Sequence, residues 1–220
     1  MFIGHFGLAF SAKAAAPKTS LGSLFLASQF IDLLWPSLLL LGFERVRIVP
    51  GITTVSPLDF ESYPISHSLV AVMVWALLFR IIYRSIKKYD RGALVVALLL
   101  MSHWFLDLIV HRADLQLVPG SDIRVGFDLW ASLLGTLAVE LLIFAVGVLL
   151  YLRYTVARDM IGKWALWTLV IFLVAAYLGN MFGPPPPNVT SLAWVGQGQW
   201  LLILWGYWLD RHRQASIIER

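Results

Sequence analysis

The stretch Gly92 to Arg112 reads GALVVALLLMSHWFLDLIVHR. Ten apolar residues precede the first polar one, Ser102. At about 1.5 Å per residue, a helix from Gly92 to His111 is about 30 Å long, the thickness of a bilayer's hydrocarbon core. Its far end carries His103, Asp107 and His111 at i, i+4 and i+8, which places them on one narrow helix face. Ionisable groups in lipid are costly and mark a pathway or a site. This stretch therefore decides the fold and locates its chemistry.

Composition extends the same reading to the whole chain. Of 220 residues, 59% are hydrophobic and 14% charged, with a mean hydropathy of +0.77. A soluble domain is about half apolar and a quarter charged. The expected architecture is an all-α, polytopic membrane bundle of six transmembrane helices plus a short N-terminal half-helix, forming one integral membrane domain over residues 1–220. Without cysteine, disulfides and thiolate metal sites are excluded, and any metal must use His, Asp, Glu, backbone or water. The net charge of +4 could suit nucleic acid. Its distribution fits topology better, so the expected partner is the lipid bilayer and no nucleic acid is expected.

Met1 to Ala12 is apolar but too short to span. Ala14-Ala15-Ala16 resembles a signal-peptidase site, yet no basic region precedes it and Lys13 adjoins the cut, so an uncleaved half-length helix is expected. Pro17-Lys18-Thr19-Ser20 reads as a turn and an N-cap. Spans are expected at about 21–43, 67–83, 92–111, 128–152, 164–182 and 193–210, with Ser66 capping the second. Polar connections cover Glu44 to Ser66 and Arg112 to Phe127, and Gly183 to Pro187 forms a stiff tie. Among the 17 lysines and arginines, only Arg45, Arg47, Arg112 and Arg124 fall on one side of this arrangement. The positive-inside rule puts the other side, with both termini, in the cytoplasm.

Counting inward from the basic edges puts His5, Asp32, His67, His103, Asp107 and Glu140 at one depth, roughly 18–26 Å from the cytoplasmic edge. The hairpin near Lys18 places His5 across from Asp32, and Gly4 and Gly7 allow close backbone approach there. Pro36 should kink its helix and free the carbonyl of Asp32. Asp128, Ser132, Thr136 and Glu140 form a stripe turned toward the third span, where Ser132 and Thr136 suit ordinary helix packing. His111 lies nearer the outer surface, as a residue supporting the site or lining its mouth. Arg112 and Asp128 belong to the same mouth, where Arg112 could hold an anionic headgroup or simply sit at the interface. His212 is read as solvated.

Each residue alone has a plain structural reading as a bonded core group. Together they point to a divalent metal site with His5, Asp32, His67, His103 and Asp107 as ligands, most simply Zn²⁺, with Mn²⁺ or Fe²⁺ open, and one or two ions. Asp32, Asp107 and Glu140 are the candidate catalytic carboxylates. A proton relay in a transporter, or a non-catalytic partner whose polar groups only fix packing, are the alternatives.

Gly4-His5, Gln29-Phe30-Ile31-Asp32, Ser66-His67-Ser68 and Ser102-His103-x-x-x-Asp107 resemble the bacterial inner-membrane metal-dependent hydrolases of the YdjM-like group, over roughly residues 1–112. A Pro-Asp-x-Asp motif frequent in that group is represented here by Asp32 alone, and its His-Arg-Gly-x-x-His-Ser by Ser66-His67-Ser68. The order of residues is distantly similar to zinc-dependent phospholipase C and single-strand nucleases, which implies the same five ligands, with Glu140 as a further one. The later His-x-x-x-Glu of those enzymes is absent, since Thr136 holds the His position. The resemblance implies a multi-pass protein of the inner membrane that hydrolyses an ester or phosphoester bond, lipid-like, near the outer leaflet.

Overall fold

The computed structural model describes residues 1–216. Helix α1 (Ile3–Ala15) is followed by α2 (Leu21–Leu40), the hairpin β1 (Arg45–Ile48) and β2 (Leu58–Ser62), α3 (Leu69–Lys87) and α4 (Asp90–Val110). Next come β3 (Leu115–Gln116), β4 (Arg124–Val125), α5 (Leu133–Tyr154), β5 (Thr155–Ala157), α6 (Met160–Phe182), α7 (Val189–Gln197), α8 (Gln199–Arg211) and β6 (Arg213–Ala215). Helices α2 to α6 are long and apolar enough to cross a bilayer. The chain is a multi-pass helical membrane bundle.

Between helices in lipid the hydrophobic effect supplies little, so association rests on close packing. Helix α2 holds the centre, with 61% of its most apolar window buried, whereas α3 buries 11% and turns its apolar side chains outward. Short α1, about 20 Å long, is packed inside the bundle: Ile3, Phe6, Ala9 and Phe10 are fully buried. Phe10 meets Phe25 at 5.0 Å, Tyr151 at 5.2 Å and Phe144 at 6.0 Å, all edge-to-face. Gly7 and Gly147 make the α1–α5 crossing possible. A Cβ on Gly147 would stand 2.0 Å from the Gly7 carbonyl oxygen, and one on Gly7 would stand 2.7 Å from that of Ile143.

Ser20 caps α2 by accepting the Ser23 amide at 3.2 Å, and Asp159 and Asn188 cap α6 and α7 in the same way. Some expected boundaries move. Helix α3 starts at Leu69 with Ser68 as its cap, not Ser66, which leaves His67 in the turn before the helix. Asp128 precedes a 3-10 turn in left-handed conformation (φ 57°), and α5 begins after Ser132. Helix α2 runs on through Pro36 to Leu40. The expected sixth span is divided at Gly198 between α7 and α8; Gly198 keeps right-handed angles, and its amide donates to the carbonyl of Val195, tightening the join. Arg220, counted among the cytoplasmic charges, lies outside the described residues.

The two long polar connections are more ordered than their prolines suggest. Strands β1 and β2 pair antiparallel, with Val46 opposite Phe60 and Arg47 opposite Asp59. Phe60 points down and packs on Trp35 (5.5 Å), Tyr63 (5.1 Å) and His111 (4.8 Å). Arginines fasten this cover: Arg47 binds Asp59 and Glu61, Arg112 binds Asp59 and Asp114, and Arg124 donates to the Phe60 and Glu61 carbonyls. On the opposite face buried Lys13 ties α1 to Asp210 of α8 at 2.8 Å. His212, expected to be solvated, is paired with Asp159 at 2.7 Å, where the imidazole and the Gly162 amide hold that carboxyl below its ordinary range.

Candidate metal centre

Four segments converge beneath the aromatic cover. Helix α4 presents His103 and Asp107 one turn apart, α1 contributes His5, α2 contributes Asp32, and the turn before α3 contributes His67. The His5 and His103 rings lie face to face, 3.8 Å apart and 3° from parallel. His103 Nε2 stands 3.1 Å from Asp107 Oδ2 and 3.6 Å from Asp32 Oδ1. His67 Nε2 is 3.6 Å from Asp32 Oδ1 and 3.8 Å from Asp107 Oδ2. His5 Nε2 faces the other oxygen, Asp107 Oδ1, at 3.1 Å. The hairpin near Lys18 predicts His5 across from Asp32; in the fold His5 meets Asp107 and stacks on His103. Asp32 is the most open member, with 21% of its side chain exposed against 4% or less for the other four.

Hydrogen bonds on the far side of two rings set which nitrogen is offered. His103 Nδ1 donates to the Ser28 carbonyl at 2.7 Å. For His67 the chain of bonds is longer. Ser66 Oγ donates its single proton to Glu44 Oε2 at 2.6 Å, so at 2.7 Å from His67 Nδ1 it accepts that nitrogen's proton. In their neutral form both rings therefore offer Nε2 toward the carboxylates, the tautomer that metal-binding histidines use. Glu44 is held in turn by the Ile65 and Ser66 amides at 2.8 Å.

This donor set fits a divalent ion. Among the described residues His103 Nε2 is buried and makes no well-aligned hydrogen bond, although Asp107 Oδ2 stands 3.1 Å away; an ion between them would engage both atoms. Ligands about 2.0–2.2 Å from a tetrahedral Zn²⁺ lie about 3.3–3.6 Å from one another, and the spacings of 3.1–3.8 Å bracket that range. Two overlapping groups are close enough to hold an ion: His5, His103 and Asp107, and Asp32, His67 and His103. Since His103 Nδ1 is committed to Ser28, its one free nitrogen can serve one ion. Only the Asp107 carboxylate, with an oxygen toward each group, is placed to serve two.

Glu140 joins neither group. Helix α1 begins inside the bundle, where its first amides have no water to bond. Glu140 Oε2 accepts from the Phe2 amide at 2.8 Å and the Gly4 amide at 3.3 Å. This carboxylate thus serves as an acceptor in trans at the start of α1, just before His5. The nitrogen of Met1 lies 2.6 Å from Asp107 Oδ1.

Beneath the two long polar connections a second cluster forms around Asp114. Its Oδ1 accepts from Tyr63 at 2.9 Å and faces His111 Nδ1 at 2.9 Å, while Oδ2 meets Arg112 Nε at 3.3 Å. The His111 ring packs on Trp130 at 4.2 Å and stands 6.5 Å from the His67 ring. Burial and the Asp114 carboxylate hold the Tyr63 phenol well above its ordinary range. Arg112, expected to meet a headgroup or the interface, is engaged by Asp59 and Asp114. Asp128 has an exposed side chain and reaches this region through its backbone amide, which donates to the His111 carbonyl at 2.7 Å. Thr136 donates to the Leu129 and Ser132 carbonyls, and Ser132 caps α5.

Glu44, Ser66, Tyr63 and Asp114 were not legible as site residues. Glu44 and Tyr63 look like members of a polar loop, and Ser66 like a helix cap. Only His111-x-x-Asp114 carried a signal, an acidic residue three positions past a buried histidine. No family model matches the chain, and no curated protein or solved structure is significantly similar to it.

Proposed function

We propose that this protein is a membrane-embedded, metal-dependent hydrolase acting on an ester or phosphoester bond of a lipid-like molecule near the outer leaflet. The observation that carries this reading is the convergence of the His67 and His103 Nε2 atoms on the Asp32 and Asp107 carboxylates at 3.1–3.8 Å, in a buried site. A divalent ion bound there, Zn²⁺ first and Mn²⁺ or Fe²⁺ next, would supply Lewis-acid polarisation and a water of lowered pKa.

The residues of the chain divide the remaining work. Ser28 and the Ser66–Glu44 pair orient His103 and His67, and so fix where their lone pairs point. Asp107 presents its two oxygens to different imidazoles and is the member able to link two ions. Asp32, the most open of the five, is the carboxylate placed to take or give a proton at the entrance. Glu140 acts on α1 and through it on His5. The aromatic cover of Trp35, Phe60, Tyr63 and Trp130 excludes water above the imidazoles, which strengthens electrostatic interactions below.

A lipid substrate is favoured by the surroundings of His67. A groove of about 370 Å³ lies between Pro64, Ile65, Pro119 and the outward face of α3 at Val70, Val74 and Trp75. The indole of Trp75 donates to the Ile65 carbonyl at 2.9 Å, tying the groove wall to the Ser66-His67 segment. An acyl chain lying there would bring a headgroup bond within reach of the site. The excess of basic residues on the opposite face supports an inner-membrane orientation with both termini cytoplasmic.

Metal analysis of the detergent-purified full chain tests the reading. We expect one or two ions per chain in the parent and loss of that metal in the His103→Ala, Asp107→Ala double variant. Equal metal content in the two proteins overturns it. Proton flux through proteoliposomes from a metal-free parent would instead favour a relay.

A further inference from the structure

The face opposite the candidate centre carries a second feature, built from different residues. A cleft of about 200 Å³ opens between the α1–α2 turn and the α3–α4 turn, lined by Lys18, Ser20, Tyr83, Lys87 and Tyr89. Its back wall is tightly constructed. Thr19 is fully buried and accepts the Tyr83 hydroxyl at 3.1 Å. Gly92 opens α4 without a side chain because a Cβ there would stand 2.4 Å from the Tyr89 ring and 2.7 Å from Thr19 Oγ1.

Charge at this rim is unbalanced. Arg84 is neutralised by Asp90 at 2.5 Å and Lys13 by Asp210 at 2.8 Å. Among the described residues, neither Lys18 nor Lys87 has a carboxylate within ion-pair distance. Lys18 instead stands 5.9 Å over the Tyr89 ring, a contact that holds the ammonium at the cleft mouth. Among the described residues no acidic side chain lines the cleft. Two cations, a serine hydroxyl and two tyrosines around a cavity of this size make a complement to a phosphate group. The cleft also sits where helices α2, α3 and α4 meet the headgroup layer, and basic recesses between membrane helices are typical headgroup sites.

We propose that this cleft binds the phosphate of an anionic phospholipid headgroup in the leaflet that meets the basic loops. Lys18 and Lys87 grip the phosphate from two sides, Tyr83 and Tyr89 form the floor, and the acyl chains run along the outward face of α3. The site is independent of the candidate metal centre and stands whether or not that centre is catalytic.

The test uses the full chain incubated with vesicles of phosphatidylcholine alone or of phosphatidylcholine with phosphatidylglycerol, followed by native mass spectrometry of the detergent-extracted protein. The parent should retain phosphatidylglycerol in preference to phosphatidylcholine. Lys18→Gln with Lys87→Gln should lower that retention roughly tenfold or more, beyond any loss caused by the same change of surface charge elsewhere. Both lysines are exposed, and an unchanged melting temperature checks that the variant is folded. The control is Lys88→Gln with Arg91→Gln, an equal loss of charge outside the cleft. If the control loses as much lipid as the cleft variant, or if neither loses any, the proposal fails. It also fails if inorganic phosphate binds at the two lysines while the vesicles leave no lipid there.

Discussion

The Nδ1 of His103 donates to the main-chain carbonyl of Ser28 at 2.7 Å, across the contact between α4 and α2. Because the acceptor is backbone, no substitution at position 28 removes it, and the orientation of His103 is tied to the docking of two helices. His67 is oriented differently, through the side chains of Ser66 and Glu44. The two imidazoles are therefore open to different perturbations.

Ser66→Ala should lower metal affinity about 10- to 100-fold, the usual cost of removing the partner of a metal-binding histidine. Ser68→Ala removes the α3 cap and the hydroxyl's bond to the Pro64 carbonyl, costing about 1 kcal/mol of stability or more, but it leaves the Ser66 hydroxyl on His67 and should lower affinity far less. Titration of both variants with Zn²⁺ against a competing chelator separates the two roles. Equal affinities in the two variants would show that the Ser66 hydroxyl does not orient His67.

Glu140→Ala leaves the Phe2 and Gly4 amides without an acceptor in a dry interior. Each orphaned group costs about 1–3 kcal/mol, so the variant should lose about 2–6 kcal/mol and melt well below the parent. Glu140→Gln keeps a carbonyl oxygen for the same amides and should recover most of that loss, with its metal content intact. A Gln variant that stays folded but loses its metal would make Glu140 a ligand, the role implied by the resemblance.

How much of this was readable beforehand follows from what each feature depends on. Spans such as 92–111 are legible because a helix in lipid is specified by its own run of apolar residues, whatever its neighbours do. The grouping of His5, Asp32, His67, His103 and Asp107 is legible because depth is a count along each helix from a basic edge. The partners of those residues are not. Glu140 shares the depth, but its role depends on α1 starting inside the bundle. Tyr63 and Asp114 meet only after the two long polar connections fold over the site, and Gly147 becomes necessary only because α1 crosses there. Arg112 could be placed at the mouth, but not its capture by Asp59.

The Tyr63 phenol lies in the polar connection between α2 and α3, where burial and Asp114 raise its pKa well above the ordinary value of about 10. A raised folded-state pKa means the folded chain holds the proton more tightly than the unfolded chain. Its stabilising contribution is complete below pH about 10 and declines as pH climbs through the folded value. Thermal unfolding followed upward from neutrality should therefore show an alkaline loss of stability that Tyr63→Phe reduces. An identical alkaline profile in the Phe variant would mean that other groups carry the loss.

Gly147→Ala tests the packing that brings His5 to the site. The added Cβ would stand 2.0 Å from the Gly7 carbonyl oxygen, a backbone atom that can move only if α1 moves. Overpacking of this kind costs about 1–3 kcal/mol, and the shift of α1 would carry His5 away from His103 and Asp107. Gly179→Ala in α6, with nothing within 4 Å of the new methyl, introduces the same side chain without the collision. We expect the first variant to melt lower and bind metal more weakly than the second. If both melt together and bind alike, α1 is not held by its crossing with α5, and the position of His5 must rest on Asp107 and His103 alone.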